Sequence, residues 1–133
     1  MTDDAARLEV ARGWWSHAVE ALATAEREAM LSPAAAVNRA YYAAFYAASA
    51  VLICEGRRFV KHAGVRAAVH RELVKPGRLA RPIGEAYDQL IKSRQTADYD
   101  ALARVSTDDA ARAIKQAADV VHAMRGLLPP GMH

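Results

Sequence analysis

The side chains best suited to chemistry lie near the end of a predicted helix, where Arg94 and Asp98 are four residues apart. This spacing places both side chains on one helix face. A guanidinium can stabilise developing negative charge, whereas an aspartate held beside it stays ionised, with a lowered pKa, and is a weak base. The pair therefore predicts either a site for an anionic ligand or an ion pair that fixes the helix register.

Other reactive side chains are scattered. Of the five histidines, His62 is the best spare imidazole, but the sequence does not place it near Arg94. The chain has no His-Glu-x-x-His motif, no phosphate-binding loop and no dinucleotide fingerprint. The single cysteine, Cys54, excludes an intramolecular disulfide, and no zinc-ligand spacing is present. We therefore predict no metal and no other cofactor.

Positive charge is concentrated in the middle of the chain. Residues 56–81 contain eight Lys or Arg residues and one carboxylate, a net charge of +7, so the remainder carries −4 of the total +3. Such a segment can attract a polyanion. The alternative is a solvated surface that only keeps the protein soluble.

The composition is that of a globular domain. The chain has 133 residues, of which 53% are hydrophobic and 25% charged, enough for one core. Its start is acidic and lacks a signal peptide, and the longest apolar run, about 40–54, is too short and Ala-rich for a membrane span. These features predict a cytoplasmic protein without membrane contact.

Helix-favouring residues dominate, and no window has the alternation of a strand. The chain is divided into five segments by residues that typically end or begin helices: Ser32-Pro33, Gly56, Lys75-Pro76-Gly77 and Ser106–Asp109. We predict helices at about 3–30, 33–55, 63–74, 82–103 and from the Ser106 caps to 127. The second helix is apolar on nearly every side and should be central. We predict an all-α, up-and-down bundle of four to five antiparallel helices, with one domain over 1–128 and a short tail, 129–133.

Three motifs carry a family resemblance. The second helix contains Asn-Arg-Ala-Tyr-Tyr-Ala-Ala-Phe-Tyr-Ala-Ala-Ser-Ala from Asn38, the third opens with Lys-His-Ala-Gly-Val from Lys61, and the fourth contains Arg-Gln-Thr-Ala-Asp-Tyr-Asp from Arg94. In this order they resemble the HEPN family, named for higher eukaryotes, prokaryotes and nucleotide binding. The aromatic residues of the second helix are expected to be mainly core and interface residues.

The resemblance implies a helical bundle that is usually dimeric. Many members are metal-independent ribonucleases that act as toxins, often beside a small nucleotidyltransferase that serves as antitoxin. Their active motif is Arg, four residues, then His, on a late helix, with a polar residue nearby on the second helix. Arg94 and Asn38 match these positions, but Tyr99 replaces the motif histidine.

The tyrosine changes the chemistry expected. Metal-free RNA cleavage needs a base, an acid and a cation, and a phenol with a reference pKa of about 10 is an adequate donor but a poor base. We predict Arg94, Tyr99, Asp98 and Asn38 as the catalytic group. The residues predicted to contact RNA are Arg39, Arg57, Arg58, Lys61 and His62.

Three functions remain in competition. The preferred one is a toxin-like homodimeric module that binds RNA or a nucleotide and pairs with a nucleotidyltransferase partner protein. The runner-up is a divergent ribonuclease that uses Arg94 with Tyr99, Asp98 or a histidine from a neighbouring helix. The third is a dimeric adaptor without catalysis. The resemblance also makes Tyr99 a candidate for nucleotide attachment by such a transferase.

Overall fold

A computed structural model describes residues 3–59, 61–100, 102 and 104–132. These residues form five α-helices and, within the described ranges, no strand, so the predicted all-α fold is confirmed. The helices are α1 (Asp3–Glu28), α2 (Pro33–Cys54), α3 (His62–Ala68), α4 (Arg81–Tyr99) and α5 (Thr107–Arg125).

The second helix lies at the centre of the bundle, as its composition predicts. It packs against α1, α3, α4 and α5, and twelve of its 22 residues are buried. Six of the buried positions from Ala40 to Ala50 are alanines with no solvent exposure. Because alanine has a small side chain, it lets the neighbouring helix backbones approach closely.

The helices α2 and α4 run antiparallel. Asn38, near the start of α2, contacts Asp98, near the end of α4, while Tyr41 lies against Arg94 and the buried Tyr87. The register therefore places the first turns of α2 beside the last turns of α4, where the motif residues lie.

The third helix is irregular. It continues from Ala68 into a π-helical segment, Val69–Val74, whose end is marked by a bond from Lys75 N to His70 O, five residues back, at 2.8 Å. A Cβ added to Gly84 of α4 would lie 3.0–3.1 Å from atoms of Val74 and His70. The absence of a side chain at Gly84 therefore lets α4 pack tightly on this segment.

The end of α4 needs correction. The second helix begins at Pro33 as predicted, although the Ser32 side chain before it makes no capping bond, whereas α4 ends at Tyr99 rather than near residue 103. The predicted start of α5 is confirmed, since Ser106 and Asp109 form a reciprocal capping box. Residues 101, 103 and 133 lie outside the described part of the chain.

The final described residues stay close to the bundle. Met132, within the predicted tail, is buried against the core, while the limits of the domain remain a prediction. Among the described residues no helix is both long and apolar enough to cross a membrane.

Candidate functional site

The guanidinium of Arg94 lies on aromatic rings. Its Cζ is 4.7 Å from the ring centroid of Tyr41, 5.8 Å from that of Tyr42 and 5.9 Å from that of Tyr99. The Arg94 side chain is 14% exposed, and its buried Nε has no hydrogen-bond partner among the described residues. Cations are attracted to the negative faces of such rings, so aromatic side chains hold this charge in place.

Asp98 only weakly neutralises the charge of Arg94. The Arg94 Nη1 to Asp98 Oδ2 distance is 3.5 Å, longer than the 2.7–2.9 Å of a strong charge-assisted bond. The same Oδ2 accepts a bond from Asn38 Nδ2 at 3.1 Å, and Asn38 Oδ1 accepts from Arg39 Nε at 3.2 Å and Nη2 at 3.0 Å. A polar chain therefore links Arg39, Asn38, Asp98 and Arg94 across the two helices.

The tyrosine at the motif position is on the surface. Tyr99 is the last residue of α4 and is 75% exposed. Its ring lies near the Arg94 guanidinium, and its exposure leaves it open to solvent and to large reagents. Whether it takes part in chemistry stays a prediction.

The structure brings His62 to this group, which the sequence could not show. His62 Nδ1 is 3.0 Å from the Tyr41 hydroxyl, and the imidazole lies 4.2 Å from the Phe45 ring, centroid to centroid. Burial, with the nearby charge of Arg94, lowers the pKa of His62, and burial raises the pKa of Tyr41 to about 12. At neutral pH the phenol keeps its proton and the imidazole is predominantly uncharged.

These side chains border a groove of about 440 Å³, which we call the cationic groove. Its lining includes Tyr41, His62, Arg66, Asp88, Lys92 and Arg94. The single carboxylate among these six is already engaged, since Asp88 Oδ1 lies 2.8 Å from Arg66 Nε and 2.9 Å from His70 Nε2. Although burial opposes the change, these bonds lower the pKa of Asp88. The groove thus keeps a net positive charge at neutral pH.

The basic segment divides into two halves. Four of its cations have carboxylate partners, in the pairs Arg57–Glu72, Arg66–Asp88, Arg71–Glu72 and Arg78–Glu55. The other four are exposed and have no carboxylate partner among the described residues: Arg58, Lys61, Lys75 and Arg81. The segment is therefore not one uniform patch for a polyanion.

The predicted site residues fall into separate groups. Asn38, Arg39 and Asp98 are linked to Arg94 by polar contacts between α2 and α4, and His62 of α3 shares the cationic groove with Arg94. Arg57 and Arg58 lie instead on a second groove, which they share with His62. Lys61 is exposed beside His62 in the chain.

Two cations of the groove, Lys92 and Arg66, were not predicted as site residues, although Arg66 belongs to the predicted basic segment. The spacing of Asp88, Lys92 and Gln95 places them on one face of α4, so the sequence could have indicated that Lys92 belongs to a polar helix face. Arg66 belongs to another helix, and only the packing of α3 on α4 brings it there.

Titration of His62 tests the arrangement around it. We expect its NMR titration midpoint to fall below 6.5, and to rise in Arg94→Met because a repelling charge is removed. The pKa of His62 is lower in the folded protein than in the unfolded chain, where it is near 6.5. The contribution of His62 to stability is therefore present above about pH 6.5 and is lost as the pH falls through the pKa of the folded state. A midpoint at or above 6.5, or one unchanged in Arg94→Met, would contradict this geometry.

Comparison with known proteins places the chain. A family model described as HEPN domain matches residues 11–127. The UPF0332 protein of Thermotoga maritima is 39% identical over 93 residues, which cover 70% of each chain. A protein of Methanocaldococcus jannaschii named as a candidate toxin is 35% identical over 75 residues, 56% of this chain and 51% of that protein. The match to the family model spans most of the sequence and all five helices are present, so this chain belongs to the HEPN family.

Proposed function

We propose that the protein is a toxin-like HEPN component that binds RNA, with a backbone phosphate seated at Arg94 in the cationic groove. The observation that carries this proposal is an arginine held on aromatic rings, weakly neutralised and open to a groove of net positive charge. The Methanocaldococcus jannaschii relative, by its name, supports the toxin-like character.

The chemistry of the groove suits a phosphodiester. A guanidinium presents several N–H donors in a fixed plane, and the Arg94 donors are not satisfied by a close carboxylate. Lys92 borders the same space and adds positive charge for a neighbouring phosphate, whereas Arg66 is already paired with Asp88. By the family resemblance, we further propose that the protein is a homodimer that pairs with a small nucleotidyltransferase.

Salt dependence of RNA binding provides the test. With two phosphates neutralised, by Arg94 and Lys92, a plot of the logarithm of the association constant against the logarithm of the salt concentration should have a slope of about −1.4. Affinity for a labelled single-stranded RNA, measured by fluorescence anisotropy, should then drop about sevenfold between about 50 and 200 mM salt. Absent binding would reject RNA as the ligand and favour the adaptor function, whereas binding insensitive to salt would reject the phosphate contact at Arg94.

A second candidate function is RNA cleavage, and the position of His62 favours it. An imidazole with a lowered pKa lies on the same groove as Arg94, so a base could act where the family motif has lost its histidine. Attack of a ribose 2′-OH on the adjacent phosphorus would pass its proton to His62, break the P–O5′ bond and leave a 2′,3′-cyclic phosphate. The leaving oxygen would take a proton from Tyr99 or water.

Incubation of purified protein with tRNA and mRNA tests cleavage. We expect cyclic-phosphate products that disappear in both Arg94→Met and His62→Gln. Cleavage that persists unchanged in Arg94→Met would exclude this site as its source.

A further inference from the structure

A second groove, of about 360 Å³, lies beside the cationic groove, and we call it the aromatic groove. Its lining includes Trp14 from α1, Phe45 from α2, Phe59 and Arg58 from the α2–α3 connection, and His62. All three aromatic side chains are half-buried, so part of each ring remains accessible. The groove thus combines exposed ring surface with positive charge.

His62 joins the two grooves. It lines both of them, with Phe45 at 4.2 Å on one side and Tyr41 at 5.7 Å on the other, centroid to centroid. The Tyr41 ring in turn lies 4.7 Å from the Arg94 guanidinium carbon. Tyr41 and His62 therefore connect Arg94 with the aromatic groove, and His62 borders both grooves.

Close packing sets the position of Phe59. A Cβ added to Gly64 would lie 3.0 Å from Phe59 Cδ1, so the ring of Phe59 lies directly on the glycine of α3. Arg58, next to it, has no carboxylate partner among the described residues and borders the same groove. Arg57, the other cation here, is 3.4 Å from Glu72.

The combination of flat apolar surfaces and an unpaired cation matches a nucleotide. A nucleobase has two flat faces that stack on aromatic rings, and it is attached to a chain of anions. We propose that the aromatic groove binds an unpaired base of the RNA whose phosphate lies at Arg94, with Arg58 contacting another phosphate of the same strand. This inference rests on the proposed function and deepens it by naming the substrate class. Because a base in a duplex is stacked and cannot enter the groove, the substrate class is single-stranded RNA or a loop.

Fluorescence of Trp14 reports directly on base stacking. The chain has two tryptophans, Trp14 and the buried Trp15, so Trp15→Phe leaves one reporter in the groove. We expect a single-stranded RNA to quench Trp14, a blunt duplex of the same sequence to quench it little, and an oligonucleotide with abasic sites to quench it less than its intact counterpart. Circular dichroism confirms that the full-length variant is folded.

Affinity measurements on variants that keep both tryptophans provide an independent test of base binding. Phe59→Ala should weaken single-stranded RNA binding by at least about fivefold, since stacking contributes that much or more per base. Phe59→Leu, which keeps apolar volume without an aromatic face, should recover only part of the loss.

The outcomes separate the two proposals. If RNA binds in an Arg94-dependent way but abasic sites, duplex structure and Phe59→Ala change nothing, the aromatic groove does not hold a base, while the proposed function stands. If no RNA binds, both proposals fail.

Discussion

Replacing Arg94 by methionine is expected to weaken RNA binding by about 10- to 100-fold. Hydrogen bonds to charged groups contribute about 1.5–3 kcal/mol, and each 1.4 kcal/mol is about tenfold in affinity. Methionine keeps a long unbranched side chain that can still lie on the Tyr41 ring, so the substitution removes the charge and the donors with little loss of packing. Anisotropy titrations of single-stranded RNA at fixed salt measure the change.

A matched control separates the groove from the total charge. Lys115 of α5 is 77% exposed and pairs with Asp119, so Lys115→Met also removes one positive charge, but from an ordinary surface pair. We expect its effect on affinity to stay below about twofold, since exposed charges are largely screened at physiological salt. Equal losses in the two variants would show that binding depends on net charge and not on the groove.

Replacing Leu90 by alanine is expected to destabilise the fold by about 2–5 kcal/mol. Leu90 has no solvent exposure and lies one helical turn before Arg94 on α4. Truncation removes apolar contact and leaves a cavity, the two causes of the large cost of such changes in cores. Urea unfolding followed by circular dichroism measures the free energy of unfolding, and this loss is a large share of the typical stability of a small domain.

The same substitution at the surface serves as the control. Leu102, in the connection between α4 and α5, is 88% exposed, and Leu102→Ala should change the free energy of unfolding by no more than about 0.5 kcal/mol. A small effect at Leu90, comparable to that at Leu102, would mean that α4 is not packed as described.

The helices could be predicted from the sequence because their signals are local. Helical spacing of apolar residues, the Ser106–Asp109 box and the glycine after α2 all act within a few residues. The end of α4 was missed because Asp100 accepts a bond from Leu102 N at 2.9 Å, a local alternative to the helix that composition does not reveal. The π-helical segment was missed because its spacing of apolar residues also fits an α-helix.

The candidate site was predictable only along one helix at a time. Arg94 and Asp98 share a face by their spacing, and the family resemblance pointed to Asn38. The approach of His62 to Tyr41 joins residues 21 positions apart on different helices, which only tertiary packing determines.

The same limit applies to the charges. The sequence shows eight cations within a segment of 26 residues. It does not show that Arg78 forms an ion pair with Glu55 or that Arg66 forms one with Asp88. Pairing across elements decides which cations keep free charge, so a net charge counted along the chain overstates the attraction for a polyanion.

The π-helical segment, Val69–Val74, constrains how the gene can change in length. Each residue advances an α-helix by about 100°. Loss of one residue from this segment would let it form a regular α-helix, and α3 would then be rotated relative to α4. His70 would then swing away from Asp88, and α3 with His62 would lose its alignment on α4. We therefore expect insertions and deletions in this segment to be selected against, even where individual substitutions are tolerated.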